Sequence, residues 1–140
     1  MTDRSMLQTL TLLFGIVFLA VGILVFIPGI TTNYDDLSFS GEDSTSELLG
    51  IFQVSILHNI VHILFGLVGL WAARAFDSSR IYMLGGGVIY LALFVLGLFD
   101  GLNWIPANNA DDWLHLALGV VMVGIGYIYG KQQMGRTAAA

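Results

Sequence analysis

The stretch "LLGIFQVSILHNIVHILFGLVGLWAA", Leu48 to Ala73, decides the fold. As a helix it is long and apolar enough to cross a hydrocarbon core of roughly 30 Å, yet it carries His58, Asn59 and His62. Three more apolar segments, Leu7–Ile27, Ile81–Phe99 and Trp113–Gly130, each reach about 18 residues or more. Four such segments predict an all-α fold, an integral membrane four-helix bundle in a single domain over residues 1–140. Between the first two lies "PGITTNYDDLSFSGEDSTSE", residues 28–47, a polar, turn-rich stretch expected to form an acidic extracytoplasmic loop. It lacks the spacing of a calcium loop.

Composition agrees. The chain is 56% hydrophobic and only 11% charged, with mean hydropathy +0.82, against about 45–50% apolar and 25% charged in soluble domains. The absence of cysteine excludes disulfides, thiol catalysis, iron–sulfur clusters and covalent c-type haem. The first segment is longer than the apolar run of a signal peptide, and "VFIPGITT" offers no small-residue cleavage site, so it is expected to be a retained span.

The cations Arg4, Arg74, Arg80, Lys131 and Arg136 all fall before span one, between spans two and three, or after span four. Asp35, Asp36, Glu42, Asp43, Glu47, Asp100, Asp111 and Asp112 fall on the opposite side, leaving only Asp3 and Asp77 with the cations. Basic loops stay inside, so the expectation is a multi-pass protein of the bacterial plasma membrane with both termini cytoplasmic. Its partners are the lipid bilayer and either another membrane protein or further copies of itself. With no basic surface outside the anchors, nucleic acid is not a partner. Trp71, Trp104 and Trp113 near span ends fit an interfacial aromatic belt.

The two halves echo each other. "GIVFLA" (Gly15–Ala20) matches "GVIYLA" (Gly87–Ala92), and "HILFGLV" from His62 parallels "HLALGVV" from His115, which suggests two repeated helical hairpins running in the same direction. Projected at 100° per residue, each span carries one small or polar stripe: Gln8, Thr11, Gly15, Phe18 and Gly22; Ser55, His58, His62, Gly66 and Gly69; Gly86, Tyr90, Leu93 and Gly97; Asp111, His115, Gly119, Met122 and Gly126. Turning the stripes inward lets backbones approach closely and leaves Leu, Ile, Val and Phe to the lipid.

Counted from the basic anchors, His58 precedes Arg74 by as many residues as His115 precedes Lys131. At about 1.5 Å per residue this sets both histidines about 24 Å above the inner boundary, at the same height. His62 falls one turn deeper, and Asp111 and Asp112 one turn higher, on the outer surface. The same measure leaves span two too long for the bilayer, so Glu47 to about Val54 is expected to project beyond it or tilt.

Three readings share these residues. In the first, neutral imidazoles join a polar network with Asn59, Ser55 and Tyr90 and hold helices together. In the second, His58, His62 and His115, with Asp111 or Asp112, hold a divalent metal ion. "HNIVH" has the spacing of a zinc-peptidase motif, but Asn59 stands where the general base belongs, and no catalytic residue is assigned. In the third, His62 and His115 ligate haem b, with Gly66 and Gly119 making room for the macrocycle.

At these residues the chain resembles a known family. "FGIVFLAVGILVFIPG", "LLGIFQVSILHNIVHILFGLVGL" and "NNADDWLHLALG" are similar to the bacterial four-span membrane proteins catalogued as domain of unknown function 4383. The resemblance implies that Pro28, Gly29, His58, Asn59, His62, Asp111 and His115 occupy motif positions, and it implies no activity. The functional expectation is a small integral protein with an inward-facing, histidine-centred polar site near its outer face, accessory or metal-associated. The alternatives are a b-type haem electron-transfer protein and a purely structural subunit of a larger membrane complex.

Overall fold

A computed structural model of the chain describes residues 4–41, 43–99 and 108–138. Asp3, Glu42, Asp100 and Trp104 lie outside the described residues. Four helices dominate, α1 (Met6–Leu24), α2 (Ile56–Ala72), α3 (Phe76–Gly97) and α4 (Asn109–Ala138), with a small antiparallel sheet of three two-residue strands, β1 (Thr31–Thr32), β2 (Glu47–Leu48) and β3 (Phe52–Gln53). Three helical stretches, Met6–Leu24, Phe76–Gly97 and Asn109–Gln132, are long and apolar enough to cross a membrane, and the apolar α2 is shorter. Outward residues such as Val17, Val61 and Ile89 are exposed, a surface that fits lipid.

Local chemistry sets the helix ends. Ser5 opens α1 with a capping box, its hydroxyl accepting from the Gln8 amide while the Gln8 side chain accepts from the Ser5 amide. Soon after α1 ends, Pro28 removes an amide and Gly29 takes a positive φ of 93°. At the tight α2–α3 turn the hydroxyls of Ser78 and Ser79 both donate to the Ala72 carbonyl at the end of α2, which also accepts from the Ala75 amide.

The structure corrects the reading of Leu48–Ala73 as one span. Its first part is not helical but a hairpin, with Glu47 paired to Gln53 and Leu48 to Phe52. At the tip Leu49 and Gly50 take φ of 56° and 68°, a left-handed pair that ends any helix there. The excess length expected outside the bilayer is thus absorbed in strands. Residues 28–47, read as a solvated loop, are also built into this cap. Ser44 donates to the Val54 carbonyl at 2.6 Å, Ser46 to Asn33 at 2.7 Å, and Thr31 to Val25 at 2.7 Å. Val25, Leu48 and Val54 form a second small core beneath it, apart from the main cluster that includes Leu7, Phe18, Tyr82, Met83, Tyr90 and Met122.

The first two helices and the last two each form an antiparallel hairpin closed by glycine. A Cβ on Gly15 of α1 would lie 2.7 Å from the Leu70 amide nitrogen and 3.0 Å from the Gly66 carbonyl oxygen of α2. One on Gly87 of α3 would lie 2.8 Å from the Val123 nitrogen and 2.9 Å from the Gly119 oxygen of α4. The alignment that superposes GIVFLA on GVIYLA and HILFGLV on HLALGVV carries each of these residues onto its counterpart. It also carries Leu19 onto Leu91, which fill the space beside Gly66 and Gly119 respectively. The sequence repeat is therefore a repeat of packing. The hairpins meet each other through side chains instead, with Phe18 and its counterpart Tyr90 stacked at 5.6 Å and 9° between planes.

Candidate functional site

The expected inward stripes hold for α1 and α4, where Thr11, Gly15, Phe18 and Gly22, and Asp111, His115, Gly119, Met122 and Gly126, are buried. They bring the three histidines together just beyond the Phe18–Tyr90 stack. The rings of His58 and His62 are 4.7 Å apart, edge to face, and those of His58 and His115 are 6.3 Å apart. His62 abuts Phe18 at 5.7 Å, and its repeat counterpart His115 abuts Tyr90 at 5.6 Å. The two contacts match in distance but not in tilt, at 86° for the first and 39° for the second. His58 has no histidine counterpart, because the repeat alignment carries it onto Asp111.

The network read around the histidines divides into separate tasks. Ser55 caps α2, its hydroxyl accepting from the His58 amide at 3.2 Å. The next two free amides of that helix end, Ile56 and Leu57, donate to the Ser38 and Phe39 carbonyls of the cap, so the cap completes the helix start. Asn59, 2% exposed, turns away from His62 and donates through Nδ2 to the Gly22 carbonyl of α1 at 2.6 Å. The interhelical bond expected of the histidines is made by the asparagine.

Asp111 is not on the outer surface as expected but is 3% exposed, because the hairpin of β2 and β3 folds over it. Its carboxylate accepts from the Asn108 amide ahead of α4 and from the Gln53 amide in β3, each at 3.0 Å. Asn108 in turn donates to the Ile51 carbonyl at 2.7 Å and accepts from the Asp111 amide. Asp111 thus latches the cap of the first hairpin to the second. Asp112 lies with its carboxylate directly on Gly97. Sequence reading missed this latch; the clue was "NNAD", an N-cap residue followed three positions later by an acid.

Beside the histidines is a cavity of about 240 Å³, floored by His58, His62 and His115 and roofed by Leu48 and Phe52 of the cap; Asn59, Tyr90 and Asp111 also line it, and the rest of its wall is apolar. Nδ1 of His58, Nδ1 of His115 and Oδ1 of Asn59 are buried and have no hydrogen-bond partner among the described residues. The sequence pattern that led here, an HNIVH turn level with a lone histidine on another span, occurs inside a larger unit. The family described as domain of unknown function, DUF4383, matches residues 8–128. The chain belongs to that family. No curated protein and no solved structure matches it.

The match takes in both hairpins, the cap and every residue of the DUF4383 site described above. Among the described residues no three His, Asp or Glu side chains are placed to hold one metal ion, and Asp111 is engaged by backbone amides. The haem geometry also meets an obstacle. The space beside Gly66 is filled by Leu19 at 2.6 Å and that beside Gly119 by Leu91 at 2.6 Å, so neither glycine leaves room for a flat macrocycle. What the site does offer is three imidazoles and an amide beside a largely apolar void.

Proposed function

We propose that this chain is a small multi-pass protein of the bacterial plasma membrane that binds an uncharged, hydrogen-bonding molecule between His58, His62 and His115, as a binding or accessory component. The observation that carries this reading is that His58, Asn59, His62 and His115 line one cavity, while Nδ1 of His58, Nδ1 of His115 and Oδ1 of Asn59 are buried without a hydrogen-bond partner among the described residues. A buried polar group left unsatisfied costs about 1–3 kcal/mol, so a ligand that satisfies several of them gains in proportion. The volume of about 240 Å³ lies just below the roughly 300 Å³ of the smallest usual ligand pockets, which favours a small polar group over a large rigid cofactor. The one carboxylate lining the cavity, Asp111, already accepts two backbone amides through Oδ2, and most of the remaining wall is apolar, a setting that favours an uncharged occupant over a metal ion. In this reading both termini face the cytoplasm and the cap faces outward, as the cation distribution supports.

Phenol, small and able to donate and accept, is a suitable probe. Titrated into protein carrying nitrogen-15 histidine in phosphatidylcholine nanodiscs, it should shift the imidazole signals of His58 and His115 saturably. Leu118→Trp, which fills the cavity wall, should abolish the response. Histidine signals that do not move, or that drift without saturation, would refute binding at this site.

A further inference from the structure

Two more cavities touch the histidine site, and the repeat alignment relates part of their linings. One, of about 380 Å³ between α1 and α4, is lined by Val17, Phe18 and Val21 on one side and Leu114 and Leu118 on the other, and ends at His62. The second, of about 210 Å³ between α2 and α3, is lined by Ile89, Tyr90 and Leu93 and by Val61, and includes His115. The repeat alignment carries Val17, Phe18 and Val21 onto Ile89, Tyr90 and Leu93, Val61 onto Leu114, and His62 onto His115. These are partly equivalent seams, one on each side of the bundle, where the hairpins meet through side chains; between α2 and α3 the rings of Tyr82 and Phe65 pack on Gly69 and Gly86.

Both seams run into the histidine cavity. The α1–α4 groove shares Val21, His62, Leu114 and Leu118 with it, and the α2–α3 cavity shares His58, His62, Tyr90 and His115. Their outer lips are residues of the lipid-facing surface, Leu13 and Val17 on one side, Val61 and Ile89 on the other, each about half exposed. The α1–α4 groove extends from Leu10 to Val21 along its helix, about 16 Å at 1.5 Å per residue, which matches one leaflet of a hydrocarbon core roughly 30 Å thick. Its lining is apolar except where it reaches His62. No Lys or Arg lines any of the three cavities. At the inner end, Asn59 and His115 are 2% and 3% exposed and carry unpartnered polar atoms.

We infer that the seams are lateral entrances from the bilayer, and that the occupant is a single-chain lipid with a small uncharged headgroup. Its head bonds to His58 and His115 under the cap, and its chain leaves past His62 along the α1–α4 groove. The inference rests on the binding reading above and adds the source and class of the ligand. An anionic headgroup would find no cation there, whereas a hydroxyl can donate to one imidazole nitrogen and accept from another. Lipid tails are as apolar as the groove, so the chain gains little by leaving the bilayer, and selection rests on the head reaching the buried polar atoms.

The test photolabels the full chain in phosphatidylcholine nanodiscs with 1-hexadecanol carrying a mid-chain diazirine, and in parallel with hexadecane carrying the same group at equal mole fraction. The alcohol should label α1 between Leu10 and Val21 and α4 between Leu114 and Leu118, saturably and about tenfold above the alkane, as about 1.4 kcal/mol of headgroup selection requires. His115→Leu should reduce that excess to the alkane level. So should Val17→Trp, a lipid-facing change that fills the groove without touching the histidine cavity. Equal labelling by the two probes overturns the inference, as does an excess that survives Val17→Trp. Competition by hexadecyl phosphate as effective as that by hexadecanol overturns the uncharged headgroup. A saturable phenol response without the hexadecanol excess leaves the binding reading intact and removes the lipid; loss of both responses removes both.

Discussion

Gly15→Ala should destabilise the bundle although alanine is the better helix former. The added Cβ would meet the Leu70 nitrogen at 2.7 Å, the Gly69 carbonyl carbon at 2.9 Å and the Gly66 oxygen at 3.0 Å. All three are backbone atoms, so no rotamer change can relieve the contact and α1 must move away from α2. Overpacking of this kind costs about 1–3 kcal/mol, and the helix propensity of alanine over glycine returns about 1 kcal/mol, leaving a net loss of up to about 2 kcal/mol. Gly87→Ala should behave alike, because its Cβ would meet Val123 and Gly119 at the corresponding positions. Gly85 and Gly124 are the controls. Nothing lies within 4 Å of either, so alanine there should stabilise by about 0.5–1 kcal/mol. Reversible unfolding in mixed detergent micelles measures all four variants on one scale. If Gly15→Ala proves as stable as Gly85→Ala, the glycine contacts do not set the hairpin spacing.

Asp111→Ala should release the cap. It removes the acceptor for the Asn108 and Gln53 amides, hydrogen bonds to a charged group worth about 1.5–3 kcal/mol each, and hydrogen exchange at the Gln53 amide should accelerate by at least about tenfold; an unchanged rate refutes the latch. Asn59→Leu should cost about 0.6–1.7 kcal/mol, the range for interhelical hydrogen bonds in membranes, through loss of the 2.6 Å bond to Gly22, read as a drop in unfolding free energy. For topology, single cysteines replacing the exposed residues Arg4 and Asp35 should label from opposite sides of sealed vesicles, and labelling from one side contradicts the assigned orientation.

The helical part of this fold was legible because lipid imposes long apolar runs and small residues at close contacts. The stripes through Gly15 and Gly119 could be read off a helical wheel, and equal spacing from the basic anchors placed His58 level with His115 before any coordinates. The cap was hidden by the same signal. Leu48, Leu49, Ile51, Phe52 and Val54 are apolar enough to extend a span, and only Leu49 and Gly50, with their left-handed backbone, separate hairpin from helix. Asp111 was misplaced for a related reason. Its height above His115 was read correctly, but burial depends on what folds over it, and that was the segment assigned to the helix. The roles of Asn59 and the histidines were exchanged because both lie within reach on a helical wheel, and the choice is made by α1, where Gly22 presents a carbonyl.

The latch at Asp111 has a mechanical consequence. Within each hairpin backbone closes on backbone, whereas the two hairpins join through side chains, so the freedom left to the bundle is a hinge-like parting of one half from the other. At one end Tyr82 of α3 donates to the Phe65 carbonyl of α2 at 3.2 Å, and at the other the joint is a clasp, carried by the first half and caught by Asn108 and Asp111 of the second. Undoing the clasp would widen the opening at the histidine end while the Tyr82 end stays fastened, so both side openings would enlarge together.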